Sequence, residues 1–186
     1  MAPPAPPASF DPRDDAALVR DLNRGDVSAF DALYARHRDW VYRLAWRFTG
    51  HQDDALDVLQ ETFLYLLGKV PDLRLSARMT TFLYPVVKHI SLNVLARRGR
   101  GVMGEEVLTQ VLARPDVGTD LGELPAAVAA LPAGQREVLL MRFVDDLDLR
   151  EIAEALHVPL GTVKSRLHNA LEALRRDERT RRHFAP

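Results

Sequence analysis

Side chains that could read DNA bases are concentrated between residues 162 and 169. They are rich in cations and hydrogen-bond donors, and they predict one exposed helix face: Thr162, Lys164, Ser165, Arg166, His168 and Asn169. In a major groove, Arg or Lys pairs with guanine and Asn with adenine, and each good bidentate contact gives about 1–3 kcal/mol of base discrimination. This stretch therefore indicates sequence-specific contact with DNA.

A capping box predicts where the preceding helix begins. Asp148 followed by Glu151 fits that motif and places the start near residue 149. His157 then occupies a turn position that needs a left-handed backbone, and Pro159 is compatible with the start of a second helix. The inward positions of the two helices are small or apolar: Ile152, Ala153, Leu156, Val163 and Leu167. The pattern predicts a helix-turn-helix, with a purely structural helical hairpin as the alternative.

Positive charge is concentrated in two segments, although the net charge of the chain is only −1. Residues 73–100 carry six cationic and no acidic side chains, and residues 160–186 carry seven cationic and three acidic ones. Such runs are often solvated helix faces, but cationic surfaces also attract nucleic-acid phosphates. The two segments are therefore the candidates for phosphate contacts.

The residue types and spacings do not favour an enzyme. The six histidines lack metal-ligand spacing, no GxxxxGK phosphate loop is present, and no serine lies in a nucleophile elbow. The adjacent pairs Asp53–Asp54 and Asp145–Asp146 are interpreted as helix starts or solvated turns rather than acid–base pairs. With no cysteine, the chain can form neither a disulfide nor a thiolate metal site. We expect no catalytic residue, no metal and no cofactor.

The composition, with 47% hydrophobic and 27% charged residues, is typical of a soluble globular protein. No apolar run approaches the roughly 18 residues of a membrane span. The N-terminus also lacks the basic and apolar parts of an export signal. We therefore expect a cytoplasmic protein without membrane insertion.

Helical periodicity runs through almost the whole chain, without a convincing alternating strand. The first apolar stripe predicts a core: Phe30, Leu33, Tyr34, Val41, Leu44, Ala45 and Phe48. A second helix is predicted over residues 54–70 and a third over about residues 80–97. The apolar residues predicted inside the second helix are Leu56, Leu59, Phe63, Leu66 and Leu67.

These patterns predict an all-α fold with two helical domains. Residues 1–15 are rich in proline and alanine and predict a disordered tail, and residues 16–98 form the first domain. Residues 99–122 are rich in glycine and lack sustained periodicity, which predicts a flexible linker. The second domain is predicted over residues 123–180.

Two parts of the sequence, in the same order, resemble one protein family. Residues 131–176 contain GTVKSRL, and residues 57–67 read DVLQETFLYLL, after a first helix that begins at DVSAFDALY. These stretches resemble regions 4 and 2 of the sigma-70 family of bacterial RNA polymerase sigma factors. The chain is identified as a member of its compact extracytoplasmic-function (ECF) group, which retains only those regions.

The resemblance implies three sets of binding residues. The residues implied to bind the core polymerase are Asp57, Gln60 and Glu61. Those implied to contact the minus-10 element are Leu75, Ser76, Arg78, Thr80, Phe82, Lys88, His89, Arg97 and Arg98. Those implied to read the minus-35 element are the polar residues between 162 and 169 named above. In this group a loop, here about residues 75–80, captures an unstacked base, and a basic surface must offset the few kcal/mol that flipping the base costs.

The chain departs from the family pattern at four positions. Phe82 stands where tryptophan is usual, His89 where asparagine is frequent, and Asn169 where arginine is common. Pro85 lies inside the expected helix and predicts a kink or a shifted helix start. The promoter sequence is therefore not predicted.

The expected function is promoter-specific initiation: the chain binds core RNA polymerase, reads the minus-35 and minus-10 elements, and melts the latter. The expected partners are core RNA polymerase, promoter DNA and an anti-sigma factor. One alternative is a LuxR-like transcriptional regulator, because such proteins share TVK in a comparable helix-turn-helix. Another is a polymerase-binding adaptor that does not open promoters.

Overall fold

A computed structural model describes residues 11–99 and 123–180. Within those ranges the chain forms eight α-helices and no strand, so the prediction of an all-α fold is confirmed. The helices of the N-terminal bundle are α1 (Asp15–Asn23), α2 (Val27–Thr49), α3 (Gln52–Leu67) and α4 (Met79–Arg97). The C-terminal helices are α5 (Leu124–Ala130), α6 (Ala133–Phe143), α7 (Leu149–Ala155) and α8 (Leu160–Arg176). Except for Gly99, the predicted linker lies outside the described residues.

The first described residues are held by ion pairs. The Arg13 guanidinium contacts Asp11, Asp21 and Asp26 at 2.8–2.9 Å, and Asp14 caps α1 by accepting from the Ala17 backbone N–H. Hydrogen bonds from Arg13 lower the pKa of Asp11 to about 2. These contacts involve residues 11–15 of the predicted tail, while residues 1–10 lie outside the described range.

The core of the N-terminal bundle follows the predicted stripe on α2. Most of its members are buried, and Phe30 and Tyr34 are half-buried against Phe63 of α3. The Tyr34 and Phe63 rings pack edge to face with centroids 4.8 Å apart. Gly50 ends α2, because its left-handed φ of 64° lets its N–H return to the Trp46 carbonyl.

The helix α3 buries fewer of its apolar residues than predicted. Leu59, Phe63 and Leu66 are buried, but Leu56 and Leu67 are 40% and 38% exposed. The prediction is therefore wrong for these two residues. They fall outside the stripe that contacts α2 and α4, so part of the outer surface of α3 is apolar.

The proline within α4 does not delay the start of that helix. The helix runs through Pro85 from Met79 to Arg97, close to the predicted bounds. The expected shift of the helix start is therefore not found. Pro85 is half-buried and lines a cavity described below.

The helix-turn-helix is formed by α7 and α8, as predicted. The Asp148 side chain accepts from the Glu151 backbone N–H, and the Glu151 side chain accepts from the Asp148 backbone N–H, which completes the capping box. His157 has a φ of 52°, and Pro159 immediately precedes α8. Of the inward residues, Ile152 and Val163 are buried, and the others are half-buried: Ala153, Leu156 and Leu167.

The C-terminal helices pack directly on the N-terminal bundle. One cluster of buried apolar residues includes Leu83 and Val87 of α4 together with Met141, Ile152 and Val163 from the C-terminal side. A second, smaller cluster joins α5, α6 and α8. The helix-turn-helix therefore shares its apolar core with the surface of α4.

Candidate nucleic-acid and protein interfaces

The outer face of α3 brings together the residues predicted to bind the polymerase. Asp57, Gln60 and Glu61 are all exposed, and the exposed leucines Leu56 and Leu64 lie on the same helix. This surface, called the α3 face below, combines carboxylates with apolar side chains. Such a mixture suits docking on another protein, because apolar contact contributes affinity and the charges fix orientation.

The α3 face is linked to the end of α4 by ion pairs. Arg97 lies 3.1 Å from Glu61, and Arg98 lies 3.0 Å from Asp57. Arg98 also contacts the buried carboxylate of Asp54. Residues predicted to bind DNA are therefore paired with residues predicted to bind the polymerase.

The loop before α4 contacts the helix-turn-helix. The Ser76 hydroxyl donates to Glu154 at 2.5 Å. The Arg78 guanidinium lies 3.5 Å from the Glu151 carboxylate and 3.4 Å from the Asp146 carbonyl oxygen. Ser76 and Arg78, both predicted to contact DNA, are thus turned toward acidic side chains of α7.

A second set of contacts joins the middle of α4 to α6. The Lys88 ammonium donates to Glu137 at 2.5 Å, and the Tyr84 hydroxyl donates to the same oxygen at 3.0 Å. Burial raises the pKa of Tyr84 well above its ordinary value, so its hydroxyl keeps its proton and remains a donor. Glu137 therefore neutralises another cation predicted to contact DNA.

A buried ion pair joins the two parts of the chain. The Arg47 guanidinium contacts both carboxylate oxygens of Asp145, at 3.0 and 2.7 Å, and the two side chains are 3% and 6% exposed. Burial raises the pKa of Asp145, and Arg47 offsets only part of that rise. Asp145 was predicted to lie at a helix start or a solvated turn, and its burial in this pair shows that prediction to be wrong. Asp146 beside it is exposed, with a φ of 55°.

The other residues predicted to contact the minus-10 element differ in exposure. His89 is exposed and shares a 3.0 Å hydrogen bond with Asn93, while Leu75 and Phe82 are half-buried. Thr80 is buried, and its hydroxyl has no partner among the described residues. These side chains do not form one continuous exposed surface.

A cavity of about 390 Å³ lies between α4 and α7. Its walls combine aromatic and polar side chains, including Tyr65, Phe82 and His89 of the N-terminal bundle and Glu154 and His157 of the helix-turn-helix. The Tyr65 and Phe82 rings are tilted by 33° with centroids 6.5 Å apart. Flat rings next to hydrogen-bonding groups could hold a planar heterocycle.

The exposed face of α8 is smaller than predicted. Lys164, Ser165, His168 and Asn169 are exposed, but Thr162 and Arg166 are half-buried. The Arg166 side chain packs against Gly134 of α6. Its guanidinium carbon lies 3.4 Å from the point at which a Cβ atom on Gly134 would stand. Among the described residues, Lys164 forms no salt bridge, which leaves its charge available to an outside partner.

The described ranges offer no group of three or more metal-ligating side chains. Nor does any helix in the described part have the length and apolar character needed to cross a membrane.

Comparison with known proteins finds two family matches within the chain. Residues 33–101 match Sigma-70 region 2, and residues 121–174 match Sigma-70, region 4. The chain is 32% identical to the ECF RNA polymerase sigma factor SigE of Mycolicibacterium smegmatis over 178 residues, covering 90% of this chain and 68% of that protein. It is 27% identical to the ECF RNA polymerase sigma factor SigW of Bacillus subtilis over 177 residues, covering 87% and 95%.

A solved structure has a similar fold. It is the sigma factor RpoE in complex with the anti-sigma factor NepR from Bartonella quintana. The TM-score is 0.59 at 18% identity, and the match covers 80% of this chain and 96% of that chain.

Proposed function

Since this chain belongs to the sigma-70 family of RNA polymerase sigma factors, in the ECF group, we propose that it directs core RNA polymerase to promoters. In this proposal it reads the minus-35 and minus-10 elements and melts the latter. The observation that carries the proposal is the presence of both family regions, in order, on one chain. A LuxR-like regulator would account for the helix-turn-helix but not for the region 2 match.

The α3 face docks on the polymerase in this proposal. Gln60 lies between Asp57 and Glu61 on an exposed surface that also carries Leu64. A few side chains near the centre of such an interface usually supply most of its affinity. The exposed acids give the docking its orientation and accelerate encounter with a basic partner.

The loop before α4 and the cavity beside Phe82 receive the minus-10 base. The tilted rings of Tyr65 and Phe82 supply a surface on which a base can stack, and stacking on an aromatic ring is worth about 1–3 kcal/mol per base. That range is comparable to the few kcal/mol needed to flip a base. Lys88 and Arg78 supply phosphate contacts once their present carboxylate partners are withdrawn.

The exposed face of α8 reads the minus-35 element. Lys164, His168 and Asn169 lie on its solvent side, whereas Val163 on the opposite side is buried against α7. A recognition helix of this kind enters a major groove with its N-terminal half against the base edges. Arg166 contributes by fixing α8 against α6 rather than by reaching freely into solvent.

The chain itself supplies no catalytic step, because RNA synthesis takes place in the polymerase. An anti-sigma factor is the proposed regulator, as it is the partner of the fold relative RpoE. The site of action is the cytoplasm, where the polymerase meets promoter DNA.

Polymerase binding is tested on α3 with two variants of one residue type. Gln60→Ala should weaken binding to core polymerase about fivefold or more, the effect of a hot-spot residue worth more than about 1 kcal/mol. Gln52→Ala is the control, because Gln52 is also exposed on α3 but lies at its first turn. Fluorescence anisotropy of the labelled full chain measures both. Equal affinities for the two variants would count against α3 as the docking surface.

Promoter reading is tested by transcription with core polymerase on a library of genomic promoter fragments. Lys164→Ala should lower promoter affinity and reduce its salt dependence, since one phosphate or base contact is lost. Arg20→Ala removes one exposed cation from α1 and should change neither. Holoenzyme that starts RNA synthesis without promoter preference would overturn the proposed function.

A further inference from the structure

A second cavity, of about 340 Å³, lies between α2, α4 and α6. It shares no lining residue with the cavity beside Phe82. Its volume falls within the range of about 300–1,000 Å³ that is common for small-molecule sites. At about 30 Å³ for each water molecule, it has room for about eleven waters, and so for a ligand of roughly ten to fifteen heavy atoms.

The walls of this second cavity, called the α2–α6 cavity below, are mainly apolar. Phe48 of α2 and Tyr84 of α4 pack edge to face with ring centroids 6.2 Å apart, and Leu92 and Leu140 extend the apolar lining. Leu140 is buried, whereas Leu92 is 36% exposed. A ligand with an apolar body would remove this lining from water, which is favourable.

The α2–α6 cavity has one cation more than the neighbouring carboxylates balance. Two of its lining cations are paired: Lys88 lies 2.5 Å from Glu137, and Arg47 lies 2.7 Å from Asp145. Arg136 also lines the cavity, and no carboxylate of the described residues lies within ion-pair distance of its guanidinium. The cavity therefore presents one unbalanced positive charge, which favours a ligand with a single negative charge.

The hydrogen bonds of Arg136 are also incomplete. Its side chain is half-buried, its Nη2 donates to the Leu131 carbonyl oxygen at 3.2 Å, and its Nε finds no partner among the described residues. A guanidinium that is partly removed from water gains from a counter-ion. Its planar fork of N–H groups matches the two oxygens of a carboxylate.

We propose that the α2–α6 cavity binds a small monocarboxylate with an apolar body of about ten carbons, and that the carboxylate pairs with Arg136. The apolar body lies against Phe48, Leu92 and Leu140. This site goes beyond the proposed function, because it uses neither polymerase nor DNA. The ligand contacts helices of both parts of the chain, so its binding stabilises the arrangement in which α4 and α6 are in contact.

The test uses the full chain and naphthalene-2-carboxylate, which has thirteen heavy atoms, a flat apolar body and one negative charge. Isothermal titration should show saturable binding at one site, with a Kd of about 1 mM or tighter. Naphthalene-2-carboxamide has the same shape without the charge and should bind at least about tenfold more weakly. Absence of saturable binding of the acid, or equal affinities for acid and amide, would overturn the proposal.

Two variants locate the bound acid. Arg136→Gln removes the unbalanced charge and should weaken binding at least about tenfold, whereas Arg150→Gln removes an exposed cation of α7 that does not line the cavity and should leave it unchanged. If Arg136→Gln loses helical circular dichroism, Leu92→Trp takes its place, because it fills the cavity from a partly exposed position on α4. Unmodified affinity in a folded Arg136→Gln or Leu92→Trp variant would show that the acid binds elsewhere and would overturn the assignment.

Calorimetric melting measures the expected stabilisation in the same proteins. At a concentration ten times its Kd, the acid should raise the melting temperature of the unmodified chain by about 3–6 °C, and Arg136→Gln should show less than half of this rise at the same concentration. An equal rise in both proteins would contradict binding at Arg136. These measurements contain neither polymerase nor DNA, so a failure of promoter-specific transcription overturns the proposed function alone, and a failure of acid binding overturns this inference alone.

Discussion

Replacing Asp145 with alanine tests whether the two parts of the chain are held as one folded unit. The substitution removes both oxygens that contact Arg47 and leaves a guanidinium that is 3% exposed. Breaking a buried ion pair in this way costs about 3–5 kcal/mol, because the remaining charge is desolvated without a partner. The structure offers Arg47 no other carboxylate contact within the described residues.

The measured loss has an upper bound that the fold itself sets. If the C-terminal helices separate from α4, water reaches Arg47 and the desolvation penalty disappears. The N-terminal bundle can therefore lose no more stability than docking contributes. If the C-terminal helices bind the N-terminal bundle with a free energy of less than about 3 kcal/mol, the substitution cancels that free energy. The variant then populates the form in which the two parts are separated.

Two spectroscopic probes distinguish these cases in urea. Both tryptophans, Trp40 and Trp46, lie on α2, so their fluorescence reports the N-terminal bundle. Circular dichroism reports all the helices. In the unmodified protein the two transitions should coincide, as for one cooperative unit. In Asp145→Ala the two transitions should separate. The urea midpoint of the first transition should fall by about 1 M or more, which is the loss of about 3 kcal/mol divided by a slope of about 1–3 kcal/mol per M.

A compensating variant completes this test. Arg47→Met/Asp145→Leu replaces both charges with apolar side chains of similar length, and such replacements are often neutral or stabilising. It should restore coincident transitions. If Asp145→Ala costs less than about 1 kcal/mol and its transitions still coincide, the pair does not contribute as a buried ion pair and the reasoning is refuted.

Three further changes test individual features. Asp148→Ala should cost about 1 kcal/mol by removing the cap of α7, whereas Asp148→Asn should keep most of it. Backbone N–H groups, first that of Glu151, lower the pKa of Asp148. The contribution of the Asp148 carboxylate to the free energy of unfolding is therefore present above the ordinary pKa of 3.8 and is lost as the pH falls through the lower folded value. Urea titrations at several pH values measure this loss. His157→Gly should raise the melting temperature by a few degrees, because glycine adopts a φ of 52° without the penalty of about 1–2 kcal/mol that other residues incur; an unchanged or lower value would show that His157 is not strained. Phe63→Ala should destabilise the N-terminal bundle by about 3–5 kcal/mol in tryptophan-monitored unfolding, since its ring is buried against Tyr34, and a loss below about 1 kcal/mol would contradict that packing.

Local features of the fold were predictable from the sequence because they depend on residues close together in the chain. The capping box needs only Asp148 and Glu151, three positions apart, and the left-handed turn needs only His157 between two helical patterns. The exposure of Leu56 and Leu67 was not predictable in this way. On a helix of 16 residues, neighbouring apolar stripes overlap, and periodicity does not tell a buried stripe from an exposed one.

The sequence predicted which segments carry the candidate surfaces, but not which residues of those segments contact each other. Arg47 and Asp145 lie 98 residues apart, and nothing near either residue indicates the other. An aspartate pair before a helix looks the same in sequence whether it is solvated or buried. Arg166 likewise has the residue type of a base-reading side chain, and only its packing against Gly134 shows that part of it supports α8.

The energetic difference between exposed and buried ion pairs explains how the contact between the two parts of the chain can be both stable and reversible. Pairs with a solvent-exposed partner, such as Arg78–Glu151 between the loop before α4 and α7, are worth about 0–1 kcal/mol, because water screens them and solvates the separated partners. Exchanging such a pair for a DNA phosphate or a polymerase cation therefore costs little. The buried Arg47–Asp145 pair differs, since it forms fully or not at all, and its partners must be resolvated together. An interface in which weak, exchangeable contacts surround one buried pair should therefore open in a single step, and the buried pair sets most of the cost of that step.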